Sequence, residues 1–117
     1  MVEIPCHGLW RRLDEKGIRF DCGRCGACCG PHFVSDTEQD IILQYLASYG
    51  IHERKYESLY HRCPYFQDNS CLIYPVRPLI CRLMGLTLLM PCPRGHKPDK
   101  ALSEEEAIGL IEDIMKQ

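Results

Sequence analysis

Cys22-Gly23-Arg24-Cys25-Gly26-Ala27-Cys28-Cys29 packs four thiols into eight residues of a 117-residue chain. That density exceeds what ordinary packing of buried thiols requires, so the stretch reads as a scaffold for a thiolate-bound metal. Gly23, Gly26 and the following Gly30 interleave with the cysteines. Glycine permits positive φ and lets backbone amides approach a bound group closely, which a metal-wrapping loop needs. The preceding Gly17-Ile18-Arg19-Phe20-Asp21 reads as a short extended piece that delivers the chain into this loop, with Phe20 turned inward.

Outward from the loop, four more cysteines are spaced along the chain at Cys63, Cys71, Cys81 and Cys92. Ser35-x-x-Glu38 has the form of a capping box, and Ile42, Leu43, Tyr45, Leu46 and Tyr49 follow, so a helix is expected from Ser35 to a stop at Gly50. A second helix is expected over Glu53 to Tyr60, with Tyr56, Leu59 and Tyr60 as its apolar side. Asp68-Asn69-Ser70 forms turns readily and sits between two short apolar runs, which predicts a hairpin with Cys63 on one arm and Cys71 on the other. Pro78 suits the first turn of a short helix carrying Cys81, since its missing N–H would be unpaired there anyway. Pro91 and Pro93 hold Cys92 in a rigid, non-helical segment. After a polar linker from Arg94 to Lys100, a last helix is expected over 103–116, with Ser103 and Glu106 as its capping box. Its predicted apolar face is Ala107, Leu110, Ile111, Ile114 and Met115.

Cysteines three apart can turn their sulfurs toward one centre, and three in succession can reach three corners of a cuboidal cluster. Bacterial ferredoxins use such a run with a remote fourth cysteine that precedes proline. Here Cys22, Cys25 and Cys28 supply the run, Cys63-Pro64 and Cys92-Pro93 supply Cys-Pro pairs, and Cys81 is the expected distal ligand. Cys29 departs from the template. Adjacent cysteines point in different directions, so Cys29 serves another metal atom, a second site or none. Zinc is the rival, because a C-x2-C pair completed by two distant cysteines makes a tetrahedral structural site and eight thiols could make two. The favoured cofactor is an iron–sulfur cluster of the [4Fe–4S] type, with zinc the alternative. Arg24, Arg62, Arg82 and Arg94 each lie within two residues of a cysteine. Guanidinium groups there would offset the negative charge of a thiolate centre, whichever metal it held. Cys6, His7, His32 and His61 are further ligand candidates on residue type alone.

Composition excludes several other classes. With 14 basic and 16 acidic residues and no basic stripe, the chain lacks the electrostatic footprint of a nucleic-acid binder. The apolar run Leu86 to Met90 is far short of a membrane span. With no leader-like start, the expectation is a soluble cytoplasmic protein, where thiols stay reduced and favour metal over disulfides. The nine cysteines, an odd count, agree. The C-x2-C steps lack the βαβ setting of a thiol–disulfide exchanger, and no nucleophile elbow, phosphate-binding loop or paired-carboxylate site is visible.

The combined motifs are specific. Phe20-Asp21-Cys22-Gly23-Arg24-Cys25-Gly26-Ala27-Cys28-Cys29, Cys63-Pro64, Cys71-Leu72-Ile73-Tyr74 and Arg77-Pro78-Leu79-Ile80-Cys81-Arg82 resemble the CxxCxxCC cysteine-cluster family of zinc- or iron-chelating domains. That family includes the flagellin lysine N-methylase. The resemblance covers roughly residues 20–92. It implies eight metal-binding cysteines, Cys22, Cys25, Cys28, Cys29, Cys63, Cys71, Cys81 and Cys92, and leaves Cys6 outside. The expected architecture is one domain over residues 1–117, small α+β, mostly helical with irregular loops and a short hairpin, organised around a cysteine-bound metal centre. The expected role is electron transfer or support of a redox enzyme, with a protein partner. The alternatives are a zinc-stabilised interaction module and a component of protein-lysine methylation. A complete methyltransferase is not expected, because no glycine-rich nucleotide loop is present.

Overall fold

Ser35 starts the helix that the sequence marks most clearly. The computed structural model describes residues 6–20, 33–54, 63–67 and 70–117, and in it helix Asp36–Ser48 carries both halves of the capping box. The Glu38 amide donates to Ser35 Oγ at 3.2 Å, and the Ser35 amide donates to Glu38 Oε1 at 3.1 Å. Gly50, with φ of 66°, takes the left-handed conformation that stops a helix.

A shorter helix, Gly8–Asp14, precedes it in a region where the sequence suggested no helix. These two are α1 (Gly8–Asp14) and α2 (Asp36–Ser48). The α1 periodicity is present in Leu9, Trp10 and Leu13, all buried. Its N-cap is His7, whose Nδ1 accepts the Leu9 amide at 3.1 Å. Histidine is not among the residues that announce a helix start, so the signal was easy to miss.

The predicted hairpin is present but smaller. Strands β1 (Phe66–Gln67) and β2 (Ser70–Cys71) pair antiparallel, with Phe66 opposite Cys71. Cys71 lies on its arm, whereas Cys63 sits in the turn before β1, where its carbonyl accepts the Phe66 amide at 3.0 Å. Pro64 explains the offset, since proline has no N–H to give a ladder. Glu53 and Arg54 are not helical, and residues 55–60 of the expected second helix lie outside the described residues.

A 3₁₀ turn, Tyr74–Val76, leads into α3 (Leu79–Leu83), with Pro78 as its N-cap rather than inside its first turn. Leu79 and Leu83 are fully buried, and α1 and α4 (Glu104–Met115) both pack on α3. In α4, Ala107, Leu110 and Ile114 are buried as expected. Met115 is not: it is 62% exposed, about 100° around the helix from the buried Ile114.

The described residues form four α-helices and one two-stranded hairpin around one apolar cluster, a mostly helical α+β arrangement. Each large aliphatic side chain in that cluster, such as Leu79, Leu83 or Leu110, contributes about 1.5–3 kcal/mol by leaving water. Among the described residues no helix is long and apolar enough to cross a membrane.

At the centre of these helices lies a carboxylate. Glu38, fully buried, accepts Trp10 Nε1–H at 2.6 Å and the Leu79 amide at 2.6 Å on Oε2, and Ser35 Oγ–H at 3.0 Å on Oε1. One side chain thereby ties α1, α2 and the first amide of α3 together. The capping-box pattern identified Glu38 only as a local cap.

Candidate metal centre

Cys81 faces away from the core because of helix geometry. Residues two apart on an α-helix are separated by roughly 200°, so burial of Leu79 and Leu83 turns Cys81 to the opposite side. It is half-buried there and opens into a cleft of about 300 Å³.

The chain after α3 brings a second thiol to the same cleft. Gly85, with φ of 84°, ends α3 with its Cα against the ring of Phe20, where a side chain would collide. The Gly85 amide donates to the Met90 carbonyl at 2.7 Å, and Thr87 bridges to both Met90 and Leu102. This tight return carries Cys92, between Pro91 and Pro93, back beside α3. Phe20 enters the cleft from the other side, in an extended segment held by two bonds. The Arg19 amide donates to Asp99 Oδ1 at 2.9 Å, and the Asp99 amide donates to the Arg19 carbonyl at 2.9 Å. The extended piece leading to the cysteine run, with an inward Phe20, is therefore present.

Two arginines line the cleft with Cys81 and Cys92. Arg82 Nε donates to the Arg77 carbonyl at 2.6 Å, Arg82 Nη2 donates to the Pro75 carbonyl at 3.0 Å, and the guanidinium lies 4.3 Å from the Trp10 ring centre. Arg77 lies 3.9 Å over the Tyr74 ring, with Nε donating to the Tyr74 carbonyl at 3.1 Å. Burial, and after it the charge of Arg77, pull Arg82 below the usual guanidinium range. Arg94, expected near the thiols, is exposed, while Arg77 was not among the expected arginines. Its position four residues before Cys81 was the available signal.

Cys63 and Cys71 make a second pair. Cys63 is buried and Cys71 half-buried. Burial pushes the Cys71 thiol up, the nearby Cys63 adds to that, and the Ile73 amide and the charge of Arg77 act against it. The field of Arg77 thus reaches both pairs, at the hairpin and in the cleft.

Among the described residues no three cysteine, histidine, aspartate or glutamate side chains gather closely enough to hold a metal ion by themselves. Cys22, Cys25, Cys28 and Cys29 lie outside the described residues, as do His32 and His61. Of the remaining candidates, Cys6 is exposed and its Sγ lies 3.6 Å from the His7 carbonyl. His7 is committed to structure. Its Nδ1 accepts the Leu9 amide, so Nε2 carries the proton that reaches Gln117 Oε1 at 2.7 Å, while Thr37 Oγ1 lies 2.8 Å away.

The thiol pairs have a counterpart in sequence comparison. A family described as "putative zinc- or iron-chelating domain", CxxCxxCC, matches residues 21–107. The chain belongs to the CxxCxxCC family. The matched span begins one residue before Cys22 and ends in the first turn of α4, so it takes in all eight patterned cysteines and leaves out Cys6. Membership supports binding of zinc or iron. Neither a curated protein nor a solved structure matches the chain.

The donor set fits such a metal on chemical grounds. Cys81 and Cys92 line one cleft with two cationic side chains on its wall, and a thiolate-bound metal is the anionic centre those charges suit.

Proposed function

We propose that this CxxCxxCC domain holds a [4Fe–4S] cluster through Cys22, Cys25, Cys28 and Cys81, and that it transfers electrons or supports a redox enzyme. The observation that carries the reading is the shared cleft of Cys81 and Cys92, about 300 Å³ in volume with Arg77 and Arg82 on its wall. A single zinc ion held by four thiolates has metal–sulfur distances of about 2.3 Å and closes tightly on itself. A cuboidal cluster is a larger body, which the cleft and the two successive three-residue steps of the cysteine run both favour.

The reading places the protein in a reducing compartment, the cytoplasm, since exposed thiolates there persist as ligands. Electron transfer also requires a protein partner. Purification without oxygen, followed by a visible spectrum and assays of iron and acid-labile sulfide, tests the proposal. The expected preparation is brown and contains both. A colourless protein with zinc and no sulfide rejects it.

Zinc is the second reading, and the Cys63/Cys71 pair favours it. The two thiols flank a hairpin too short to be stable alone. A structural zinc with ligands there would crosslink it, since metal binding and folding are coupled in small domains. In that case a chelator unfolds the protein and zinc alone restores it.

A further inference from the structure

Arg77 and Arg82 both line the cleft; Asp14 lines it too, and its charge, with that of Glu38, acts on Arg82, although among the described residues neither arginine is in ion-pair contact with a carboxylate. The ion pairs present among the described residues, Arg12 with Asp113 and Lys16 with Glu106, lie on the surface between α1 and α4 or just beyond α1. Two like charges in a half-buried cleft repel each other, and the one carboxylate among the lining residues, Asp14, offsets two cations only in part.

Their placement is fixed from outside the cleft. Arg82 is gripped by the Arg77 and Pro75 carbonyls and by the face of Trp10, and Trp10 is itself anchored by its hydrogen bond to the buried Glu38. Arg77 is gripped by the Tyr74 carbonyl and ring. In both cases the carbonyl comes from the Tyr74–Arg77 stretch, and an aromatic face takes one side of the guanidinium. Such anchoring removes the freedom that a surface arginine uses to find its own counter-ion. The charges are presented to the cleft whether or not an anion is there.

We propose that Arg77 and Arg82 are a pre-set counter-charge for the metal–thiolate centre at Cys81, in the cleft that Cys92 also lines, with Arg82 the positioning residue and Trp10 its platform. The inference rests on the metal centre described above but not on which metal it holds. Four thiolates around Zn²⁺, or around a [4Fe–4S]²⁺ core, leave a formal charge of about −2 in either case. Fixed cations lining the same cleft lower the energy of that charge without reorganising when it forms.

The test compares the intact wild-type chain with Arg82→Met, Arg82→Lys and Arg77→Met. Each is loaded with the metal found in the wild type, and affinity is measured by competition with a chelator. Where iron and sulfide are present the midpoint potential is measured as well. Circular dichroism and the emission of Trp10, the single tryptophan, monitor the fold. Arg82→Met and Arg77→Met should each weaken metal retention about tenfold and move the midpoint to a more negative value, because loss of a positive charge disfavours the more negative reduced state. Arg82→Lys should recover most of the loss, while helical signal and Trp10 emission stay at wild-type levels. If Arg82→Met fails to fold, Arg77→Met, which leaves the Trp10 stack intact, decides the question. Wild-type retention in Arg77→Met overturns the proposal. So does equal loss in Arg82→Lys and Arg82→Met, which would make the role one of packing rather than charge. A wild type that contains zinc and no sulfide defeats the iron–sulfur reading alone, and the affinity comparison still decides this one.

Discussion

Trp10 donates its indole N–H to Glu38 across 2.6 Å, joining the first helix to a carboxylate that is fully buried. The same oxygen accepts the first amide of α3, so the helix that bears Cys81 starts from the bond that anchors Trp10. A fold of small elements is thereby fixed at one polar point inside an apolar cluster, and the thiol in the cleft inherits its position from it.

Replacing Glu38 tests that dependence. Glu38→Ala leaves Trp10 Nε1, the Leu79 amide and the Ser35 donors without their acceptor in a site closed to water. The expected cost is about 3–5 kcal/mol, the range seen when a buried polar network loses its hub. Trp10→Phe removes one donor and keeps the ring, so it should cost about 1–2 kcal/mol. Urea denaturation followed by helical circular dichroism measures both. A loss from Glu38→Ala no larger than that from Trp10→Phe would show that the carboxylate acts only as a local cap.

Gly85 carries a second prediction. Its φ of 84° already disfavours any side chain, and a Cβ there would meet the Phe20 ring. Gly85→Ala should destabilise by about 1–3 kcal/mol for the backbone, plus the cost of displacing Phe20. Only Asp21 separates Phe20 from Cys22 in the sequence, so its displacement should also weaken metal retention. In the double variant Gly85→Ala with Phe20→Leu, part of the loss should return, because the two residues share the contact. Strict additivity in that cycle would refute the shared contact.

What could be read from the sequence divides along physical lines. Helices α2 and α4 were legible because each begins with a serine three residues before a glutamate and continues at helical spacing. Helix α1 was not, since its cap is His7 and its apolar stripe covers only seven residues. The approach of Cys63 and Cys71 followed from the turn between them. The meeting of Cys81 and Cys92 did not, because it depends on the tight return through Gly85 to Met90 and on the bridge to Leu102. Arg77 was missed for the same reason: tertiary packing brings it to the cleft, and proximity in sequence to a cysteine pointed elsewhere.

Acid should expose the tie between the segment after α1 and α4. The hydrogen bond from Lys16, and then that from Ser103, hold the Glu106 carboxyl below its ordinary value of 4.5. A carboxyl lowered on folding contributes stability that is present above its unfolded value and is lost as pH falls through the folded one. The wild type should therefore lose stability below pH 4.5 more steeply than Glu106→Gln, and the two curves should run parallel above it. Both side chains face solvent, so the effect is small and salt-screened. Thermal denaturation of the two metal-free proteins across that pH range measures it, and identical slopes would show that the pair contributes nothing.

The last prediction separates ligands from bystanders. Cys6 is exposed, lies outside the span that the family matches, and has its sulfur near the His7 carbonyl. As the one cysteine outside the matched span, it is the natural control among the nine cysteines. Cys6→Ser should leave metal content unchanged. Cys22→Ser, Cys25→Ser and Cys81→Ser should each lower metal content and destabilise the fold, because losing a thiolate admits water to the site and removes binding energy that is also folding energy. Metal analysis of the purified variants, paired with their denaturation midpoints, is the measurement. Equal loss from Cys6→Ser and Cys81→Ser would bring the N-terminal segment into the metal centre.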